Sequence, residues 1–105
     1  MEPSATHAVS KNGVRIRLPV ERWLHIETGH PEFAGERDLI LDTIRNPIRI
    51  FFGGKGELIA VREWRAGMYA VVVYREMEED GFVLTAYPTK RLSTLDRRQQ
   101  AWPLQ

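Results

Sequence analysis

Residues 68–87 read MYAVVVYREMEEDGFVLTAY, Met68 to Tyr87. Two runs rich in β-branched and aromatic residues flank an acidic, glycine-bearing turn, the pattern of a β-hairpin. Register decides which side chains share a face. A three-residue turn at Glu79-Asp80-Gly81, with glycine in the left-handed position, sets Tyr74 opposite Ala86. Met68, Ala70, Val72, Phe82 and Leu84 then join them on one wholly apolar face, and Arg75, Thr85, Tyr87 and Tyr69 share the other. A two-residue turn at Asp80-Gly81 would bring Arg75 beside Leu84 and Ala86, on the face that has to be buried. Burying an unpaired charge is costly, so the first register is the expected one.

Working outward, "IRIFF" (48–52) and "ELIAVREW" (57–64) carry the same β texture, and "GGKG" and "RAG" supply the turns between runs. Upstream, "VRIRL" (14–18) alternates apolar and basic residues, as a half-exposed strand or extended lead-in does. Pro19 suits a first helical turn, "PVERWLHIET" continues with good helix formers, and Gly29 supplies the stop. A second helix runs through "GERDLILDTIR" (35–45): Glu36 and Asp38 complement its dipole, Asn46-Pro47 closes it, and Ile40, Leu41 and Ile44 share the core face. The expected fold is α+β, with two N-terminal helices packed on one face of a four-stranded antiparallel meander sheet. The polar face of Arg75, Thr85 and Tyr87 is then left to solvent or a ligand. Residues 1–12 read as a loose arm, 13–92 as the folded domain and 93–105 as a basic tail bearing Arg97 and Arg98.

A chain of 105 residues fits one hydrophobic core. Its formal net charge of +1 does not announce nucleic acid, so any phosphate affinity has to come from local clustering, and Lys90, Arg91, Arg97 and Arg98 against Asp96 form the most basic stretch. The absence of cysteine excludes disulfides, thiolate nucleophiles and zinc-thiolate sites. The first residues lack the apolar core of a signal peptide, and "YAVVVY" is too short to span a bilayer, so a soluble, cytoplasmic protein is expected.

Two histidines, His25 and His30, lie in "WLHIETGHPEF" (23–33). A spacing of five turns side chains about 140° apart on a helix, whereas one-face ligand pairs use three or four, and no HExxH motif is present. No metal and no cofactor are expected. Acid and base work is the better chemical reading, because histidine titrates near neutrality. Cleavage of RNA by its own 2′-hydroxyl needs only a base, an acid and cations to stabilise the phosphorane. His25 or His30 would move the protons, Arg75, Lys90 or Arg91 would hold the phosphate, and Thr85 and Tyr87 would orient it. The bland reading stands beside it: His30 caps a helix end and His25 is an exposed spectator, while Trp23 and Trp64 are packing residues.

The order "ERWLHIETGHPE", "ILDTIRNP" and "GFVLTAYPTK" resembles the phage-associated branch of the barnase, EndoU, colicin and RelE-like nuclease superfamily, over roughly residues 18 to 90. The resemblance implies N-terminal helices on a four-stranded antiparallel sheet and a metal-independent ribonuclease acting as toxin, effector or RNA-processing module. It implies catalytic meaning for His25, with His30 close behind, for Thr85 and Tyr87, and for Lys90. RNA is the implied partner, with an immunity or antitoxin protein as a second. A non-catalytic RNA- or protein-binding module on the same fold is the alternative.

Overall fold

The computed structural model describes residues 6–104. Seven strands and two helices follow the order β1 (His7–Val9), β2 (Arg15–Arg17), α1 (Val20–Gly29), a 3-10 turn (Pro31–Phe33), α2 (Arg37–Arg45), β3 (Arg49–Phe52), β4 (Leu58–Arg65), β5 (Met68–Met77), β6 (Asp80–Thr89) and β7 (Gln100–Trp102). The strands form one sheet in the order β1-β2-β6-β5-β4-β3-β7, with β2 parallel to β6 and the other pairs antiparallel.

The class α+β stands, but the four-stranded antiparallel meander is corrected to a seven-stranded mixed sheet. The four expected strands are its centre, β6-β5-β4-β3. The additions are three strands of three residues each: β2 lies in the alternating "VRIRL", with Ile16 buried between exposed Arg15 and Arg17, while β1 and β7 are too short to show a period. Of the expected N-terminal arm, residues 1–5 lie outside the described residues, and His7–Val9 pairs with Arg15–Arg17. Of the expected basic tail, Gln100–Trp102 pairs with β3, and Ala101 and Trp102 pack against the main core.

The central hairpin also differs in detail. Its turn is two residues, Glu78 and Glu79, with Met77 opposite Asp80 and Glu78 at φ 46°. That turn alone would carry Arg75 into the core. A bulge prevents it: Tyr74 faces Val83 while Val73 faces Thr85, so Leu84 has no opposite residue. The parity is restored, and Ala70, Val72, Tyr74, Val83 and Ala86 are buried together beneath the helices. Phe82 and Leu84 are only half-buried, and Val83 takes the core place expected of them.

The helices bury one stripe each. Trp23 and Ile26 of α1, with Ile40, Leu41 and Ile44 of α2, close over Leu58, Ala60, Val72 and Tyr74. Trp64 packs its ring 5.2 Å from that of Phe33, so both Trp23 and Trp64 are packing residues. The opposite face was expected to be open, and it is not. Phe51, Ile59, Val61 and Val71 form a second cluster capped by Leu95, with Leu92, Tyr69, Val73 and Tyr87 at its margin. Continuous apolar runs such as "LIAV" and "AVVVY" are what strands buried on both faces require.

Candidate nucleic-acid interface

The sheet divides the residues that the sequence brought together. His25 is exposed on α1, in a groove of about 320 Å³ that it shares with Pro19, Glu21, Arg22, Phe82 and Val83. His30 ends α1: its backbone N–H donates to the Ile26 carbonyl at 2.8 Å, and its ring stands edge-on to Phe33, centroids 6.3 Å apart. Both histidines therefore belong to the helix side. Thr85 and Tyr87 lie opposite Val73 and Val71, and alternation places Arg75 with them on the helix-free face. Lys90 and Arg91 are exposed just past the end of β6. There the Arg91 N–H donates to the Thr89 hydroxyl at 3.1 Å, and that hydroxyl donates to the Arg91 carbonyl at 2.9 Å.

What the helix-free face does assemble is a cleft of about 400 Å³ between the β3–β4 turn and the C-terminal segment. It is lined by Gly53, Gly54, Lys55, Glu57, Ile59, Val73, Tyr87, Leu95 and Arg98. Ile59, Val73, Leu95 and the half-buried Tyr87 give it an apolar floor, and the polar groups come from the two rims. Of the expected residues, Tyr87 and, from the basic C-terminal stretch, Arg98 line it directly. Arg75 reaches its rim, donating to the Lys55 carbonyl at 3.1 Å. Lys55 and Glu57 were not anticipated, whereas Arg98 comes from the basic C-terminal stretch that the sequence marked for phosphate affinity.

The glycines of "GGKGE" explain why this rim exists. A Cβ on Gly53 would overlap the Glu57 side chain, so the carboxylate can lie across the turn only because residue 53 has none. Gly56 takes φ +88°, the left-handed region, and a Cβ there would stand 3.2 Å from the Arg75 guanidinium. The Glu57 carboxylate accepts the Lys55 N–H at 2.7 Å. That hydrogen bond, its own backbone N–H and the charges of Arg75 and Arg98 hold its pKa below the ordinary carboxylate value. The carboxyl group is ionised and oriented. Burial pushes the Tyr87 phenol up, partly offset by the Arg98 charge, so at neutral pH it keeps its proton and can donate.

Among the described residues, no group of three His, Asp or Glu side chains is placed to hold a metal ion. No helix of those residues is long and apolar enough to cross a membrane. No family model, curated protein or solved structure matches the chain.

Proposed function

We propose that this chain binds RNA through the helix-free face, as a module that need not cleave what it holds. One observation carries the reading: Lys55, Arg75 and Arg98 converge on the rim of one cleft floored by Tyr87, while both histidines lie across the sheet. Cations at such a rim engage phosphate oxygens, and an aromatic floor receives the face of a base. That combination serves single strands. Lys90 and Arg91 are exposed past Thr89, at the end of β6 away from Arg75.

A second reading is the metal-independent ribonuclease, cleaving by attack of the 2′-hydroxyl. It is favoured by the carboxylate of Glu57 in the same cleft as the cations, which can accept a proton beside a stabilised phosphorane, though its lowered pKa makes it a weak base. In that reading His25 acts only if substrate also reaches the groove it shares with Arg22.

Incubating the purified chain with total RNA in EDTA tests both. Retention of intact RNA that weakens with salt, and that falls in a Lys55→Ala/Arg98→Ala variant, is the expected result. Products ending in 2′,3′-cyclic phosphate would replace the binding reading by the catalytic one. Retention of no RNA at low salt overturns both.

A further inference from the structure

We propose that β1 is a pairing edge for a second copy of this chain, joined about a two-fold axis at Ala8 so that the two sheets run on as one. The inference goes beyond the RNA-binding reading and does not depend on it.

The direction of the backbone groups carries it. The Leu18 N–H donates to the Thr6 carbonyl at 2.9 Å and the Ser10 N–H to the Val14 carbonyl at 2.8 Å, so Thr6 and Ser10 are turned towards β2. Backbone groups alternate along a strand, which turns Ala8 the same way and aims the N–H and C=O of His7 and Val9 out of the sheet. β1 ends the sheet, and no strand among the described residues lies beyond it. Helix α2 packs against β1 on the core face, where Ala8 is buried, whereas Val9, on the other face, is 51% exposed.

The two edges of the sheet differ. At the far edge β7 runs into Pro103, which has no N–H, and the Gln100 side chain already donates to the Pro103 carbonyl at 2.9 Å. The register of β7 against β3 is also broken. β1 reads His-Ala-Val in unbroken register with β2, with none of the proline, lysine or bulge that blunts an edge strand. An edge left in that state is a template for another strand.

The spacing of the outward groups selects the same strand as its partner. With two β1 strands antiparallel and Ala8 opposite Ala8, His7 of each copy lies opposite Val9 of the other. Those are the residues whose groups point outward, and such opposed residues exchange both of their hydrogen bonds. Every outward group of β1 is then satisfied, as a self-complementary two-fold contact requires. A slip of one residue would set outward groups against inward ones. Charge does not oppose the join. Arg15 and Arg17 share a face with Val9 and His7, but β2 of one copy would stand three strand spacings, about 14 Å, from β2 of the other, beyond the screening length of about 8 Å at physiological salt. Arg17 is already paired with Asp80 at 3.0 Å. A three-residue edge buries little area, so the dimer is a weak one that dissociates on dilution.

Sedimentation velocity over a concentration series tests the proposal. The wild type should move from one chain towards two as its concentration rises. Over the same range the His7 and Val9 amides should exchange more slowly by NMR, while the Ala8 amide, already turned to β2, changes little. Val9→Pro removes an outward donor that β1 does not share with β2 and should abolish the shift, with thermal melting showing that the variant folds. Val9→Lys leaves the backbone whole, sets a charge on the edge and should weaken the association as well. A chain that stays single at every concentration overturns the proposal. So does a dimer that survives both variants, or one that forms without slowing the His7 and Val9 amides, because its contact would then lie elsewhere on the surface.

Discussion

The Arg75 guanidinium donates a 3.1 Å hydrogen bond to the carbonyl oxygen of Lys55, joining β5 to the turn between β3 and β4. The bond uses a backbone acceptor, so the cation is held at the rim without being neutralised by it. Glu57 then bends back over Gly53, and one short turn presents a cation, an anion and a tethered guanidinium to the same cleft. A polar rim on an apolar sheet face is stable here because its charged groups stay at the water boundary while Ile59 and Leu95 take the buried positions.

Of the adjacent Gly53 and Gly54, only Gly53 should therefore be sensitive to an added side chain. Gly53→Ala places a methyl group where the Glu57 side chain lies, whereas a Cβ at Gly54 meets nothing within 4 Å. Displacing Glu57 costs the turn its ordered carboxylate but leaves both cores intact. Gly53→Ala should cost at most about 1 kcal/mol of stability, and Gly54→Ala should cost nothing measurable. Denaturant unfolding of the two variants checks this.

Glu57 also sets an acid limit. Its pKa in the folded chain lies below the ordinary 4.5, first because of the Lys55 N–H and then because of its own N–H, Arg75 and Arg98. A depressed folded pKa means that the unfolded chain binds the proton more readily. The contribution is therefore complete above about pH 4.5 and is lost as the pH falls through the folded value. Glu57→Gln should melt below the wild type at pH 7, and the gap should close as the pH is taken below 4.5. A gap that does not change with pH would show that the charge of Glu57 does not stabilise the turn.

Leu95 makes the C-terminal segment part of the domain. It is 5% exposed and covers Phe51, Ile59, Val61 and Val71. Removing a buried leucine side chain typically costs about 2–5 kcal/mol. Leu95→Ala should cost about 2 kcal/mol, because the site lies near the surface and can partly collapse. It should also raise amide exchange over residues 92–98, since the segment loses its anchor and the cleft one wall.

The parts legible in the sequence were those with a period or a cap. Met68–Met77 matches its apolar run residue for residue, and α1 stops at Gly29 before the restricted His30-Pro31 pair. The common face of Arg75 and Tyr87 was readable too, although the structure reaches it through a tighter turn and a bulge at Leu84, which residue patterns do not display. Of the three-residue strands, Arg15–Arg17 was announced by the alternation of "VRIRL", but its parallel partner Asp80–Phe82 lies far away in the chain, and nothing local announces Gln100–Trp102 against β3. The cleft was missed for the same reason. Lys55 and Glu57 sit in a turn and Arg98 in an irregular segment, and three signals pointed there: the basic stretch that holds Arg98, the glycine density of "GGKGE" and the unbroken apolar runs that demand a second cover. The structure sets His25 and His30 on the helix side and Thr85 and Tyr87 on the other, a division that the hairpin register already implied.

The basic C-terminal stretch gives the sharpest separation of roles between neighbours. Arg98 lines the cleft, while Arg97 is exposed and lines none of the clefts described above. Each phosphate neutralised on a single strand contributes about 0.7 to the log-log salt slope, because counterions are released when a cation replaces them. Arg98→Ala should therefore lower the slope for oligouridine by about 0.7, and Arg97→Ala should leave it close to the wild-type value. Fluorescence anisotropy at several salt concentrations, with both variants beside the wild type, measures the difference. Equal losses in the two variants would mean that the segment attracts RNA by its diffuse charge alone, and the cleft would lose its claim on the phosphate.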